Sequence, residues 1–451
     1  MFLEELSEPE FAERLNGLVS PSEPVRTIQR LHGRGPQLKS VERALYANRR
    51  HVFIHGDRGV GKSSLAATAA NQCQRSDARY LDVSCSPDAT FTSMIASIAS
   101  QALKGRTGTT SQKDTRETSW KWLKIVRTTD TTPNDLHQAI RGLTDAVEVL
   151  REVATLHSAK PVVVVDEFDR IASTDQRNLF ADLLKHLGDK EVDVKFIFTG
   201  VGRSLEDLLG AHPSAIRQLE TLELPRLSWE GRCEIVVEAL NSFRVDIDRN
   251  LYLRIAAVSD GYPYYVHLLT EKLLWRLYDR KEVATKVLRE DYENALGDAI
   301  ASTSAELKRP YEAAVMDRSD DYEPVLWSTA DSEYLHRFSR QMHSSYEYVL
   351  GQIGDGRAVL PYNKYSTRIR TLTRPGYGGI LVHDSKRPGL YGYRENMLRG
   401  YVRMQAEAHG IRLAGYQKES EEPQRIHAPA RASTGYRGPT TPREIHFGKG
   451  R

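Results

Sequence analysis

Residues His51-Val-Phe-Ile-His-Gly-Asp-Arg-Gly-Val-Gly-Lys-Ser63 run as a short apolar strand straight into the spacing G-x-x-x-x-G-K-S. Few architectures accommodate that junction. Gly56, Gly59 and Gly61 permit the tight curl that turns consecutive backbone N–H groups inward around an anion. Lys62 then reaches the β- and γ-phosphates of a nucleotide, and the Ser63 hydroxyl is placed to bind Mg²⁺. The Ala-rich continuation from Ser64 predicts a helix whose N-terminal dipole faces the same anion. The expected ATP-binding loop is therefore Gly56, Asp57, Arg58, Gly59, Val60, Gly61, Lys62, Ser63 and Ser64. An apolar strand before it and a helix after it argue against a mere glycine-rich turn.

Roughly a hundred residues further on, Lys160-Pro-Val-Val-Val-Val-Asp-Glu-Phe-Asp169 is an apolar run ending in acids. Such a run suits a strand buried on both faces of a parallel sheet. Asp166 is expected to hold Mg²⁺ together with Ser63, and Glu167 to polarise an attacking water. Taken alone the Asp-Glu pair is an ordinary polar loop. Joined to the glycine loop it predicts ATP hydrolysis.

The chain is 451 residues long, enough for two or three domains with cores of their own. Lys plus Arg number 63 against 60 for Asp plus Glu, so nucleic-acid affinity would have to come from local patches. Cys73, Cys85 and Cys233 are scattered without disulfide or metal-ligand spacing, which suits a reducing compartment. No apolar run approaches a membrane span, and the acidic start Met1-Phe-Leu-Glu-Glu is unlike a signal peptide. A soluble, cytoplasmic protein is expected.

Further strands are expected at Arg79–Ser84, Asp193–Thr199 and Leu219–Leu224, alternating with helices at Gln37–Asn48, Thr90–Leu103 and across 133–157. The stretch 104–132 is rich in Gly, Thr, Ser and charge and reads as a long loop. These features predict an α/β nucleotide-binding domain over 31–226, preceded by a lead-in over 1–30 that packs on it. Residues 227–300 turn wholly helical, with helices expected at Trp229–Phe243, Asn250–Ser259, Tyr264–Tyr278 and Arg289–Gly297. Over 305–415 come helices, a short basic helix within 360–372, two strands at Gly379–His383 and Leu390–Tyr393, and a last helix at Glu395–His409. That order is the order of a winged helix. The Pro/Gly/Ser/Arg-rich stretch 418–451 is expected to be disordered.

With these parts in order the chain resembles the AAA+ P-loop ATPases, and most of all the initiator-like clade of origin-recognition and helicase-loader proteins with their bacterial relatives. The resemblance covers roughly residues 25–400. It implies a parallel helix-covered sheet, an α-helical lid and a C-terminal winged helix, with head-to-tail oligomers. His32-Gly-Arg-Gly35 resembles the element that contacts adenine. Val165-Asp-Glu-Phe-Asp169 is similar to the family's acidic motif, and Thr199 sits where a polar sensor orients the water. Arg217 matches the arginine finger that completes a neighbouring subunit's site, with Arg203 as a nearby competitor. One element departs. Asp260-Gly-Tyr-Pro-Tyr-Tyr-Val-His267 stands where the family has Gly-x-x-Arg, a second sensor on the γ-phosphate. Tyr264, Tyr265 and His267 are the nearest substitutes, and a slow switch is expected where a fast motor would need that arginine.

Two functional readings follow. In the first, the ATPase acts on double-stranded DNA through Lys364, Arg368, Arg370 and Arg374 on or just after the basic helix and Lys386 and Arg387 on the hairpin tip, with Tyr362 and Tyr365 packing on the backbone. In the second, a signalling or scaffold NTPase of the kind used in phage defence or mobile-element control docks a protein effector on the winged helix.

Overall fold

The computed structural model describes residues 3–74, 78–104, 137–158, 160–201, 217–280 and 284–413. The expected loop at 104–132, the competitor Arg203 and the expected tail at 418–451 lie outside them, apart from Lys104. Five strands form one parallel sheet: β1 (His51–His55), β2 (Leu81–Ser84), β3 (Val162–Asp166), β4 (Lys195–Gly200) and β5 (Leu219–Glu223), in the order β2-β3-β4-β1-β5. Alternation along each strand sorts side chains between the two faces. Val52, Ile54, Val162, Val164 and Ile197 join one core, while Phe53, Val163, Val165, Phe196 and Phe198 join the other. The second core is aromatic at its centre, where Phe168 meets Phe180 and Phe198 edge-on with ring centroids 5.3 and 5.1 Å away.

Helices α1 (Glu8–Leu18), α2 (Gly35–Tyr46), α3 (Lys62–Cys73), α4 (Phe91–Lys104), α5 (Leu143–Leu156) and α6 (Thr174–Asp189) accompany the sheet. The helix expected across 133–157 is shorter: among described residues it breaks before Gly142, whose backbone caps α5. Then come α7 (Trp229–Ser242), α8 (Arg249–Val258), α9 (Pro263–Tyr278) and α10 (Arg289–Ser302), close to the expected lid helices.

The C-terminal elements are α11 (Ala305–Val315), α12 (Tyr322–Thr329), β6 (His336–Phe338), α13 (Ser339–Ile353), α14 (Tyr362–Thr371), β7 (Leu381–His383), β8 (Leu390–Tyr393) and α15 (Met397–Ala408). The strand β6, which sequence reading missed inside a stretch read as helical, turns the hairpin into an antiparallel sheet of order β6-β8-β7. Only three residues long, it has too little alternation to be legible. One continuous hydrophobic core runs from Val52 and Ile54 through Leu240 and Leu273 to Val402 and Ile411. No helix among the described residues is long and apolar enough to cross a membrane.

A buried charge cluster pins α15 to the turn before α9. Asp260 is fully buried and accepts from Arg399 Nε at 2.7 Å and Nη2 at 2.6 Å, and from Arg226 Nη1 at 2.6 Å, with Arg403 Nη1 at 3.3 Å. Burial alone would raise its pKa, but the Arg399 and Arg403 guanidiniums hold the carboxyl well below the usual carboxylate range. Asp260→Asn leaves buried arginines without their counter-charge and is expected to cost about 3–5 kcal/mol in urea unfolding. Because the folded pKa is depressed, the wild-type advantage is fully present above the unfolded carboxylate value of about 4 and shrinks as pH falls below it. An Asp260→Asn midpoint equal to wild type at neutral pH would show that the cluster does not stabilise the fold.

Candidate functional site

The phosphate loop follows β1, and its backbone adopts the curl that the glycines allow. Gly59 and Gly61 have φ of 80° and 95°, in the left-handed region. Gly56 lies so close to β5 that a Cβ would come within 2.5 Å of the Leu224 carbonyl oxygen. Lys62 Nζ donates back to the carbonyls of Gly56 at 3.1 Å and Asp57 at 2.7 Å, closing the loop on itself. Burial pulls the Lys62 ammonium below its ordinary pKa, opposed by the carboxylates of Asp169, Asp166, Asp57 and Glu395.

Pairing of β2, β3 and β4 brings the acidic motif and the polar strand end to the same edge of the sheet. Ser63 Oγ donates to Asp166 Oδ1 at 3.0 Å. Thr199 Oγ1 donates to that same oxygen and accepts from the Glu167 backbone N–H at 3.1 Å. Glu167 sits at φ 55°, an uncommon value for a side chain of its size and one that aims the residue out of the strand end. Its carboxylate accepts from Arg170 Nη1 at 2.7 Å. Asp169 instead accepts from the backbone N–H of Val201 at 2.9 Å, fixing the turn after β4. The neighbouring Cys85 thiol is pushed up to about 12, by burial first and then by Asp166, so it stays protonated and unreactive.

A cleft of 720 Å³ opens over these groups, lined by Arg58 to Ser64, Asp166, Glu167, Asp169 and Thr199. Sequence reading missed one wall. Residues 20–25 form a strap along it: Val25 N–H donates to Ser64 Oγ at 3.1 Å, and Thr68 Oγ1 donates to the Val25 carbonyl at 3.1 Å. The lead-in thus packs on α3 and borders the cleft. Its only sequence signal is Pro21 and Pro24, which favour extended chain.

Leu31, His32 and Arg34 line the cleft, and the buried Arg34 guanidinium donates to the carbonyls of Val60 at 2.9 Å and Pro225 at 2.8 Å. It ties the phosphate loop to the end of β5. Of the substitutes for a lid arginine, Tyr265 is buried and donates its hydroxyl to the Met397 carbonyl at 2.9 Å. His267 lines the cleft, but burial pulls its pKa down to about 3 and its Nδ1 accepts from the Ser20 N–H, so it is neutral. Tyr264 remains, half-buried on the cleft wall. The arginines lining the cleft among described residues are Arg30, Arg34, Arg58 and Arg170, none from the lid helices.

Arg217 is exposed two residues before β5. The register sets Leu219 beside His51 at the start of β1, whereas the loop follows His55. At about 3.3 Å per strand residue, the start of β5 is on the order of 13 Å from the loop edge of the sheet, and Arg217 precedes that start.

The basic helix differs from expectation in two residues. Tyr365 is fully buried, its hydroxyl hydrogen-bonded to Ser328 Oγ at 2.8 Å, so it packs on no external backbone. Arg368 donates to Asp321 Oδ2 at 2.6 Å and lies over the Tyr322 ring at 4.7 Å, which makes it an intramolecular brace of α14 on α12. Facing inward every three to four residues is what α14 needs to pack, and positions 365, 368 and 369 meet that need. Lys364, Arg370, Arg374, Lys386 and Arg387 are exposed.

A glycine loop curled as an anion would require, beside a Ser–Asp–Thr cluster and a carboxylate at a strand end, has the geometry to take a nucleoside triphosphate. Residues 30–197 match the family described as the AAA ATPase domain, and that part of the chain is an AAA ATPase domain with the P-loop AAA+ fold. Over most of its length the chain is similar to the Walker-type ATPase of Pyrococcus abyssi, with TM-score 0.48, 15% identity and coverage of 85% of this chain and 99% of that one. It is similar also to the ORC2 protein of Aeropyrum pernix, with TM-score 0.47, 14% identity and coverage of 86% and 98%. The RuvB Holliday junction branch migration motor of Thermotoga maritima gives TM-score 0.41, 15% identity and coverage of 86% and 98%. No curated protein matches the sequence.

Glu167→Gln keeps the shape of the site but cannot polarise water. ATP is expected to bind with wild-type affinity while steady-state phosphate release falls at least about a hundredfold. Retained turnover would move the base to another residue, with Asp169 the next to test.

Proposed function

We propose that this protein is an ATP-binding and ATP-hydrolysing AAA+ switch of the initiator-like kind that acts on duplex DNA through a winged-helix module. The observation that carries the ATPase half is the convergence of Lys62, Ser63, Asp166, Glu167 and Thr199 on one cleft. Domain boundaries follow: the ATPase domain over 31–226, the lid over 227–300 and the winged helix over 305–415.

Mg²⁺ fits the donors. Ser63 Oγ and Asp166 Oδ1 are hard oxygens 3.0 Å apart, a pair of protein donors for one ion. That suits an ion held mainly by phosphate and water, whose charge would neutralise the β- and γ-phosphates. Lys62 binds those phosphates, Thr199 fixes the direction of Asp166 and the backbone of Glu167, and Glu167 takes up the proton of the attacking water. Arg170 holds the Glu167 carboxylate in the ion pair described above, and release of that pair frees the base. Arg217, too far from its own loop, serves as the finger of an adjoining subunit in a head-to-tail assembly.

Lys62→Ala is expected to abolish ATP binding, read by titration with a fluorescent ATP analogue, because it removes the cation for the phosphates. Arg217→Ala is expected to bind ATP but lose hydrolysis. Mixed with Lys62→Ala it should regain part of the activity, because some interfaces then pair an intact loop with an intact finger. No recovery in subunits shown to co-assemble would exclude action in trans.

The DNA half is supported by α12, α13, α14 and the β6-β8-β7 sheet, which follow one another as in a winged helix, and by the exposed cations at 364, 370, 374, 386 and 387. Replacing Arg370, Arg374, Lys386 and Arg387 by Gln should weaken binding to any duplex and lower the salt slope by about one unit per lost phosphate contact. Hydrolysis without DNA should be unchanged. A wild-type chain that binds no duplex, or a variant with the wild-type slope, would turn the reading to a protein effector docked on this module.

A further inference from the structure

The start of α15 lies on the phosphate loop. Asn396 Nδ2 donates to Asp57 Oδ2 at 2.9 Å, across 339 residues of sequence. Met397 lies over Gly59, where an added Cβ would come within 2.4 Å of the Met397 Sδ, and Met397 lines the cleft. At the N-terminus of α11, Glu306 pairs with Arg58 of the same loop at 3.2 Å. Three successive loop residues, Asp57, Arg58 and Gly59, are thus touched from the C-terminal third of the chain.

Position along α15 leaves this contact little slack. Arg399 and Arg403 anchor the helix in the Asp260 cluster. The Tyr265 hydroxyl donates to the Met397 carbonyl, and a Cβ on Gly400 would come within 2.5 Å of the Tyr265 ring. The Tyr262 hydroxyl is buried without a hydrogen-bond partner, and its pKa is raised by burial and by the carboxylates of Asp260 and Asp57. The element Asp260-Gly-Tyr-Pro-Tyr-Tyr265, which lacks a lid arginine, therefore fixes α15, and α15 meets the loop.

We infer that Asn396 and Met397 are positioning residues of the nucleotide site, which hold the Asp57–Gly59 half of the loop in its anion-binding curl and so couple ATP affinity to the seating of the C-terminal module. The inference rests on the ATP-site reading above. Lys62 grips the Asp57 carbonyl at 2.7 Å while Asn396 grips the Asp57 side chain, so one residue is held from both ends. A loop held in its bound shape loses less freedom when phosphate arrives, and affinity rises accordingly. Linkage makes the effect reciprocal: a nucleotide that favours this loop shape tightens the seating of α15 by the same factor.

The test uses the full chain, a non-hydrolysable ATP analogue and hydrogen exchange. Asn396→Asp sets a carboxylate against Asp57 and is expected to weaken analogue binding about tenfold. Asn396→Ala, which adds no charge, should weaken it by a smaller factor. Adding Asp57→Asn to Asn396→Asp reverses the direction of the hydrogen bond, the amide now donating from position 57, and should restore affinity to within about twofold of wild type. In the wild type the analogue should slow amide exchange across 397–408, and in Asn396→Asp it should not. Variants that bind like wild type, a double variant no better than Asn396→Asp alone, or exchange in α15 indifferent to the analogue would each overturn the inference while leaving the ATP site standing. A wild-type chain that binds no analogue would overturn the ATP-site reading and the inference with it.

Discussion

Asp260 is the residue on which the arrangement of the second half of the chain depends. A carboxylate removed from water is costly unless charge and hydrogen bonds replace what water supplied. Here Arg226 comes from just after β5, while Arg399 and Arg403 come from α15, so one side chain fastens three distant segments. The turn that presents it is equally constrained. Asp260 and Gly261 have φ of 52° and 81°, and a Cβ at 261 would come within 2.8 Å of the Arg232 Nη2 and 2.9 Å of the Arg226 Cβ. Gly261 is therefore a requirement of close approach, and the Asp-Gly pair is a structural joint first.

The sheet edge that carries the candidate site has a different origin. It follows from strand registry, which sets Ser84 beside Asp166 and Ile54 beside Thr199. Once β3 and β4 pair in parallel, their C-terminal residues converge on the loop after β1, where open α/β sheets bind ligands. A single oxygen, Asp166 Oδ1, then accepts from Ser63, Thr199 and the backbone of Glu167. Such sharing ties the end of the loop to the acidic turn.

The loop, the acidic strand and the order of elements were legible because each is written in neighbouring residues. Strand apolarity, glycine spacing and helical periodicity are local signals, and β1, β3 and α3 are close to where those signals place them. What escaped was non-local. The strap at 20–25, the Asn396–Asp57 contact and the Asp260 cluster join residues far apart in sequence, and no local pattern announces them. Arg368 is the instructive case. On a short basic helix every cation reads as available, yet Asp321 and Tyr322 draw this one into the fold because its position faces α12. Charge composition reports how many cations a helix has, and packing decides which of them are free.

The missing lid arginine and the buried arginines of α15 are two sides of one design. A second-sensor arginine would stand at the fourth position of Gly261-Tyr-Pro-Tyr264, whose side chain lines the cleft. Here the first turn of α9 buries Tyr265 against Gly400 and Met397. With that turn packed against α15, the cleft wall on this side is built by Tyr264, neutral His267 and Met397. A wall without a cation cannot follow the γ-phosphate by charge. It can follow the shape of the loop, because Met397 covers Gly59 and Asn396 holds Asp57. On the inference above, occupancy of the site is reported through packing of the C-terminal module, where a lid arginine would follow the γ-phosphate by charge.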